Sequence, residues 1–281
     1  MYDIDAPIVI GGLGGSGTRL IAEMFACAGV DIGSDLNRSS DNLWFTLLLK
    51  RRALRAPGVE SEVSAALQLL AKAMTSHEPL TTVERKVLRR AVRDQRGNYS
   101  RRWCDNRRKA LLSREYFEAQ NGGWCWKEPN SHIFLDRLMA EFPRLRYVHV
   151  MRHGLDMAYS RNQGQYARWH WYFDLPPSAT ASATPRDSLA YWCVANDRVR
   201  QLGHTLGDRF LMVNYDDLCL NPGEHVPALL DFVGARNNAQ VVEKVSALAE
   251  VPPTVGRYKS HDISGFAPED VAFVSEVGFR V

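Results

Sequence analysis

The sequence predicts an α/β fold, a parallel β-sheet flanked by helices with a nucleotide-binding loop at its start. Three observations carry this. Ile8-Val9-Ile10 is a β-branched run that stops at a glycine cluster, Gly11 to Gly17. A helical pattern follows, with Leu20, Ile21, Met24, Phe25 and Ala28 on one face. Two later apolar runs, Arg146 to Met151 and Phe210 to Tyr215, read as buried strands, and Trp124-Cys125-Trp126 as a further one. Helical patterns separate them at Ile133 to Met139 and Leu189 to Leu202. Strands that alternate with helices pair in parallel and are covered on both faces.

The chain has 281 residues, within reach of one large α/β domain, and residues 1–281 are read as such. At this size folding buries roughly three quarters of the surface, so no disulfide or metal staple is needed. Hydrophobic residues at 45% and charged residues at 24% exclude disordered, collagen-like and coiled-coil classes. No apolar run approaches the ~18 residues of a membrane span. Met1 to Pro7 carries two aspartates and no basic stretch, which argues against a secretory signal. Five scattered cysteines form no CxxC pair. The expectation is a soluble, cytoplasmic protein.

Two segments break the alternation. Residues 51–122 read as a helical insertion, with Val63, Leu67, Leu70 and Met74 spaced for one buried face. The insertion includes Arg85 to Lys109, where 11 Lys/Arg face two acids, while the rest of the chain holds 24 basic against 30 acidic residues. Such a block is either a solvated helix face or a surface for an anionic partner. Residues 161–186 read as a long, lid-like loop containing Trp169-His170-Trp171-Tyr172-Phe173. Those aromatics are either a buried wedge or a platform for an acceptor ring.

The glycine loop, Gly12-Leu13-Gly14-Gly15-Ser16-Gly17-Thr18-Arg19, nearly fits the phosphate-binding pattern GxxxxGK[ST]. Glycines let backbone amides curl around a phosphate at the positive end of the next helix. Thr18 stands where the phosphate-binding Lys belongs, and Arg19 where the Mg²⁺-binding hydroxyl belongs. Ordinary Mg-nucleotide chemistry is therefore poorly supported. The same residues also match GxGxxG, with Asp31 or Asp35 as the acidic partner of a dinucleotide site.

Ser16-Gly17-Thr18 directly after a strand resembles the 5′-phosphosulfate loop of sulfotransferases that use 3′-phosphoadenylyl sulfate, a family with a P-loop-like fold. Arg152 at the end of a strand, with Ser160 eight residues later, is similar to that family's 3′-phosphate site. Asn214-Tyr215-Asp216-Asp217-Leu218 resembles its Tyr-Glu-Asp-Leu segment, whose tyrosine lies near the adenine. Trp126-Lys127-Glu128-Pro129 is similar to its Trp-Lys-x-Pro strand, and Gly256-Arg257-Tyr258-Lys259 to the Gly-Arg-Trp-Lys segment that closes over the cofactor. The pieces run in the family's order over nearly the whole chain. One position departs: many members carry Lys or Arg where this chain has Gly15, so Arg19 and Lys127 would share the missing charge.

The resemblance implies in-line transfer of a sulfuryl group to a hydroxyl or amine, with adenosine 3′,5′-bisphosphate as product and no metal. Gly14, Gly15, Ser16, Gly17, Thr18 and Arg19 would hold the phosphosulfate, and Lys127 and Arg19 would bear on the reacting group. Arg152, Ser160, Tyr215, Arg257 and Lys259 would hold the rest of the cofactor. The acceptor would be a small molecule, glycan, lipid or peptide, with nucleic acid not expected. Asp41, followed by Trp44-Phe45, resembles the Glu-x-x-Phe-Phe base of the glycan-sulfating branch, although Asp41 also reads as a cap for a helix starting at Asn42. Asp35, His170 and Glu128 are the other candidate bases. Glu128 is placed behind Lys127 because neighbouring strand residues face opposite ways. His132 and His153 read as structural. The rivals are a small-molecule or nucleoside kinase on the same fold, using Asp216 or Asp217 for magnesium, and a non-catalytic binder.

Overall fold

The computed structural model describes residues 3–55, 58–114, 123–180 and 182–281. Four strands, β1 (Ile8–Gly12), β2 (Cys125–Lys127), β3 (Arg146–Met151) and β4 (Phe210–Asn214), form a sheet in the order β2-β1-β3-β4. Every pairing is parallel, with Ile10 beside Lys127 and Val148, and Met151 beside Asn214. The side-chain alternation explains the two-sided cover. Ile8, Ile10, Val148 and Val150 join one apolar cluster, while Val9, Tyr147 and Met151 join another on the opposite face.

Thirteen α-helices are seen among the described residues. The first face is covered by α1 (Thr18–Cys27), α10 (Tyr215–Leu220), α11 (Pro222–Val233) and α12 (Ala239–Ser246), through Ile21, Met24, Phe25, Leu218, Leu230 and Val245. The second is covered by α2 (Leu43–Leu49), α3 (Glu60–Thr75), α4 (Thr82–Gln95), α5 (Arg101–Leu112), α6 (Leu135–Glu141) and α9 (Pro185–Leu206). Short α7 (Gly154–Ala158) and α8 (Gly164–Trp169) follow β3, and α13 (Pro268–Glu276) packs on α9. Local chemistry sets several of the boundaries. Thr81 with Glu84 and Thr184 with Asp187 form capping boxes at α4 and α9, and Pro185 occupies the first position of α9.

The expected helical insertion is present as α3, α4 and α5, while the end of its range, 115–122, lies outside the described residues. In its basic block Arg90 pairs with Glu62, Arg96 with Asp105 and Arg107 with Asp35, whereas Lys86, Arg89, Arg101 and Arg102 are exposed. The lid-like loop needs correction. Residues 161–186 contain α8 and a 3₁₀ turn, His170–Phe173. The reason is burial: Trp169 is fully enclosed and donates its indole N–H to Asn130 Oδ1, and Tyr172 donates to Ile133 O. These two rings are a wedge anchored on the turn after β2; Trp171 and Phe173 are half-buried. No helix among the described residues is long and apolar enough to cross a membrane.

Candidate functional site

Parallel strands bring all four C-terminal ends to one edge of the sheet, where α/β proteins hold ligands. There the chain forms a cleft of about 870 Å³, lined by the glycine loop after β1, Lys127 at the end of β2 and Glu128 after it, Arg152 after β3 and Tyr215 after β4. Four positions far apart in sequence thus meet in one space.

The loop is built to receive an anion. Gly17 caps α1 at φ 96° with no side-chain cap, and the first turn of α1 holds no acidic residue, so its amides are left for a ligand. Ser16 is buried, and its hydroxyl has no hydrogen-bond partner. A buried hydroxyl without a partner is costly, which fits a phosphate or sulfate oxygen as its missing neighbour. Gly17 is required twice over. A Cβ there would lie 2.1 Å from Tyr215 Cδ2, and L side chains rarely adopt its φ. Gly15 sits at φ 100°, so a lysine or arginine at that position would be strained. The cations that line the cleft instead include Arg19, Lys50, Lys127, Arg152 and Arg168.

Lys127 is 1% exposed and pairs with Asp41 Oδ1, and it also donates to Ser39 O. Burial pulls its ammonium pKa below the usual lysine range, and the Asp41 carboxylate opposes that pull. Asp41 Oδ2 accepts from Asn37 Nδ2 at 2.8 Å. The cap expected from Asp41 belongs to Asn42, whose Oδ1 accepts from Phe45 N at 2.8 Å, because α2 begins at Leu43. Glu128 also needs correction. It lines the same cleft as Lys127 because β2 ends at Lys127, so strand alternation does not reach Glu128, which instead caps the 3₁₀ turn Pro129–Phe134. Glu128 accepts from Lys50 Nζ at 2.7 Å, from Asn130 N at 2.7 Å and from Asn130 Nδ2.

Arg152 bonds Thr254 Oγ1, lies 5.7 Å from the Tyr215 ring centroid and faces Asp216 at 3.8 Å, too far for a hydrogen bond. Its Nε and Asp216 Oδ1 are both buried and unsatisfied. Burial raises the Asp216 pKa despite Arg152 and the amide of His153, and burial pushes the Tyr215 phenol up to about 12. Ser160 lies two residues beyond α7 rather than on it, and its hydroxyl accepts from Asn162 N. Asn162 lines the cleft; Ser160, Arg257 and Lys259 do not. Arg257 donates to Tyr159 O, and Lys259 is exposed. Their segment is docked by buried Asp156, which accepts from Gly256 N at 2.7 Å and Tyr258 N at 2.9 Å.

Of the other candidate bases, Asp35 lies outside the cleft lining and pairs with Arg107. Burial raises its pKa against the pull of Arg107. His170 lines a neighbouring cavity, and its Nδ1 donates to Leu175 O at 3.0 Å. His132 is buried between Pro129 O and Tyr191, and its pKa falls to about 3 on burial. His153 accepts from Leu155 N at the start of α7. Sequence reasoning missed Lys50, Gln165, Arg168 and the wall at 250–253. Lys50 had a readable signal: it opens the basic run Lys50-Arg51-Arg52 that ends the mostly apolar stretch Leu43–Leu49.

Among the described residues no group of three or more His, Cys, Asp or Glu side chains converges as a metal site. Residues 7–238 match the sequence profile described as the sulfotransferase family. The fold is similar to the sulfotransferase domain of the olefin synthase from Synechococcus PCC 7002, with a TM-score of 0.52 and 15% identity over 98% of this chain and 95% of that one. It is similar as well to the sulfotransferase domain from the curacin biosynthetic pathway, with a TM-score of 0.52 and 13% identity over 98% of each chain. At these identities the likeness speaks to fold. No curated protein matches the sequence.

Proposed function

The chain belongs to the sulfotransferase family, and we propose that it moves a sulfuryl group from 3′-phosphoadenylyl sulfate to a hydroxyl or amine of an acceptor. The observation that carries this reading is the convergence of an uncapped glycine loop, the unsatisfied Ser16 hydroxyl, Lys127 and Arg152 at one sheet edge. When bound, the donor supplies the sulfuryl group: the acceptor atom bonds to sulfur, the bond to the 5′-phosphate oxygen breaks, and adenosine 3′,5′-bisphosphate leaves with the electron pair.

The chain's own groups then have distinct tasks. Gly14, Gly15, Gly17 and Thr18 offer amides, and Ser16 its hydroxyl, to the 5′-phosphosulfate. Lys127 and Arg19 place positive charge where the leaving phosphate gains negative charge. Arg152 holds the 3′-phosphate, and the Tyr215 ring, packed on Gly17, offers a face to the adenine. Ser160, Arg257 and Lys259 are proposed as outer contacts. A base needs an open lone pair, which favours Asp41 over Glu128. Asp41 is 22% exposed in its side chain and takes one donor on each oxygen, Lys127 on Oδ1 and Asn37 on Oδ2, whereas Glu128 is 1% exposed with two donors on each oxygen. Cytoplasmic placement belongs to the same proposal, supported by five cysteines present as free thiols.

The test is calorimetric titration with adenosine 3′,5′-bisphosphate, AMP and Mg-ATP, in wild type and Arg152→Ala. The bisphosphate should bind far more tightly than AMP without magnesium. Arg152→Ala should lose ~2–5 kcal/mol toward the bisphosphate, the cost of truncating one partner of a charge pair, and little toward AMP. Equal losses would remove the 3′-phosphate assignment, and a preference for Mg-ATP would put the kinase first.

A further inference from the structure

Beside the cleft lies a second cavity of about 530 Å³, between the helical insertion and α8. The two spaces share Lys50 and Arg168 and therefore adjoin. Among the described residues the second one is lined by the cations Lys50, Arg52 and Arg168 and by no carboxylate. The three cations are not equivalent. Lys50 is neutralised by Glu128 at 2.7 Å. Arg52 and Arg168 are exposed, and neither has a carboxylate partner among the described residues. The Arg52 guanidinium lies 5.5 Å from the Trp171 ring centroid.

The aromatic walls are held in place. Trp171 donates its indole N–H to Arg168 O at 3.0 Å, and Tyr99 stacks on Trp103 with centroids 4.1 Å apart. Two guanidiniums without counter-charge, next to fixed ring faces, suit a planar anion carried on a ring. They come from separate parts of the chain, the turn after α2 and helix α8, so the arrangement is tertiary.

We propose that this second cavity is the acceptor site and that it selects a hydroxylated ring bearing a carboxylate, held by Arg52 and Arg168 with its ring against Tyr99 and Trp171. The inference rests on reading the adjoining cleft as the donor site. An acceptor anchored here presents its far end to the Lys50 boundary, toward Lys127 and the glycine loop. The ring is an aryl group or a sugar, and the probes separate these.

Calorimetry on the full chain first measures adenosine 3′,5′-bisphosphate alone, which tests the donor reading. At saturating bisphosphate the protein is then titrated with 6-hydroxy-2-naphthoate against its carboxamide, and with methyl glucuronide against methyl glucoside. The expected result is at least tenfold tighter binding of the carboxylate in one of the two pairs. Arg52→Gln should remove most of that preference with bisphosphate affinity unchanged, and Arg168→Gln should reduce it independently. Bisphosphate binding with no charge preference in either pair overturns the inference and leaves the donor reading intact. A preference that survives in the double variant overturns it as well. Failure of the bisphosphate to bind defeats the donor reading, and the acceptor assignment falls with it.

Discussion

The ion pair between Lys127 and Asp41 can be weighed by removing each partner in turn. Lys127 is 1% exposed in its side chain and Asp41 22%. At an effective dielectric of about 20, unit charges ~4 Å apart attract by about 4 kcal/mol. Desolvation of the ammonium offsets much of that attraction. Losing one partner of a fully buried pair costs ~3–5 kcal/mol, and the partial exposure of Asp41 brings the expectation for Asp41→Asn to about 2 kcal/mol. Lys127→Met leaves a carboxylate that water reaches, so about 1 kcal/mol is expected there. The double variant Asp41→Asn/Lys127→Met, with no charge left to strand, should lie within about 1 kcal/mol of wild type. Urea unfolding at pH 7 of all four proteins measures this cycle. A second readout follows from the lysine pKa, which burial already depresses. Without Asp41 it falls further, so the unfolded chain binds the extra proton over a wider range below the ordinary lysine value. The Asp41→Asn deficit should therefore narrow as pH rises from 7 toward 10. Additive single effects, or a deficit that does not change with pH, would refute the pairing argument and leave Asp41 as a proton acceptor without a structural role.

Three further outcomes are expected. Gly17→Ala places a methyl 2.1 Å from Tyr215 at an unfavourable φ. Backbone strain of ~1–3 kcal/mol is expected, with at least a tenfold loss of bisphosphate affinity by calorimetry, and Tyr215→Ala in the same chain should restore part of the stability. Asp156→Asn replaces one of two acceptors for Gly256 and Tyr258 by an amide N–H. A loss of ~2–3 kcal/mol is expected for a buried charged hydrogen bond, read as faster proteolysis in the 248–260 segment; equal protection would contradict the docking role. His149 is enclosed, with Nε2 on Asn196, and burial lowers its pKa to about 4 from an ordinary 6.5. The unfolded chain therefore takes up the proton first. Stability is complete above pH 6.5 and is lost as pH falls toward 4, by about 3 kcal/mol from this group. His149→Gln should flatten the fall in urea midpoint over that window.

Where local pattern and tertiary position coincide, the site was legible. The glycine loop, Lys127, Arg152 and Tyr215 each end or follow a strand that the apolar runs reveal, and parallel pairing brings strand ends together. Glu128 shows the limit of that logic. Alternation predicts a side chain's face only inside the strand, and β2 stops one residue before it. The aromatic run after residue 168 has no strand signal, and its enclosure depends on Asn130 and Ile133, nearly forty residues earlier. Arg52 and Arg168 were invisible as a pair for the same reason: their proximity is made by the insertion folding back over α8. The wall at 250–253 is Glu250-Val251-Pro252-Pro253, which matches no motif, so nothing in its local pattern marked it.

The docking of Gly256 and Tyr258 on Asp156 has a consequence for the order of events during synthesis. All four strands are complete once residue 214 has emerged, yet one wall of the cleft is supplied by residues 250–253, and the Arg280 carbonyl accepts from His153 Nε2 and from Tyr258. At ~5–20 residues per second the nascent sheet waits ~2–9 s between residues 214 and 258. During that interval the glycine loop exists while the enclosure around it does not. The apolar clusters on the two faces of the sheet are for the most part already in the chain by then, so its packing precedes the completion of the cleft. On the proposed donor reading, a ribosome-stalled fragment ending near residue 248 should fold its sheet and gain less protection from adenosine 3′,5′-bisphosphate than the 281-residue chain.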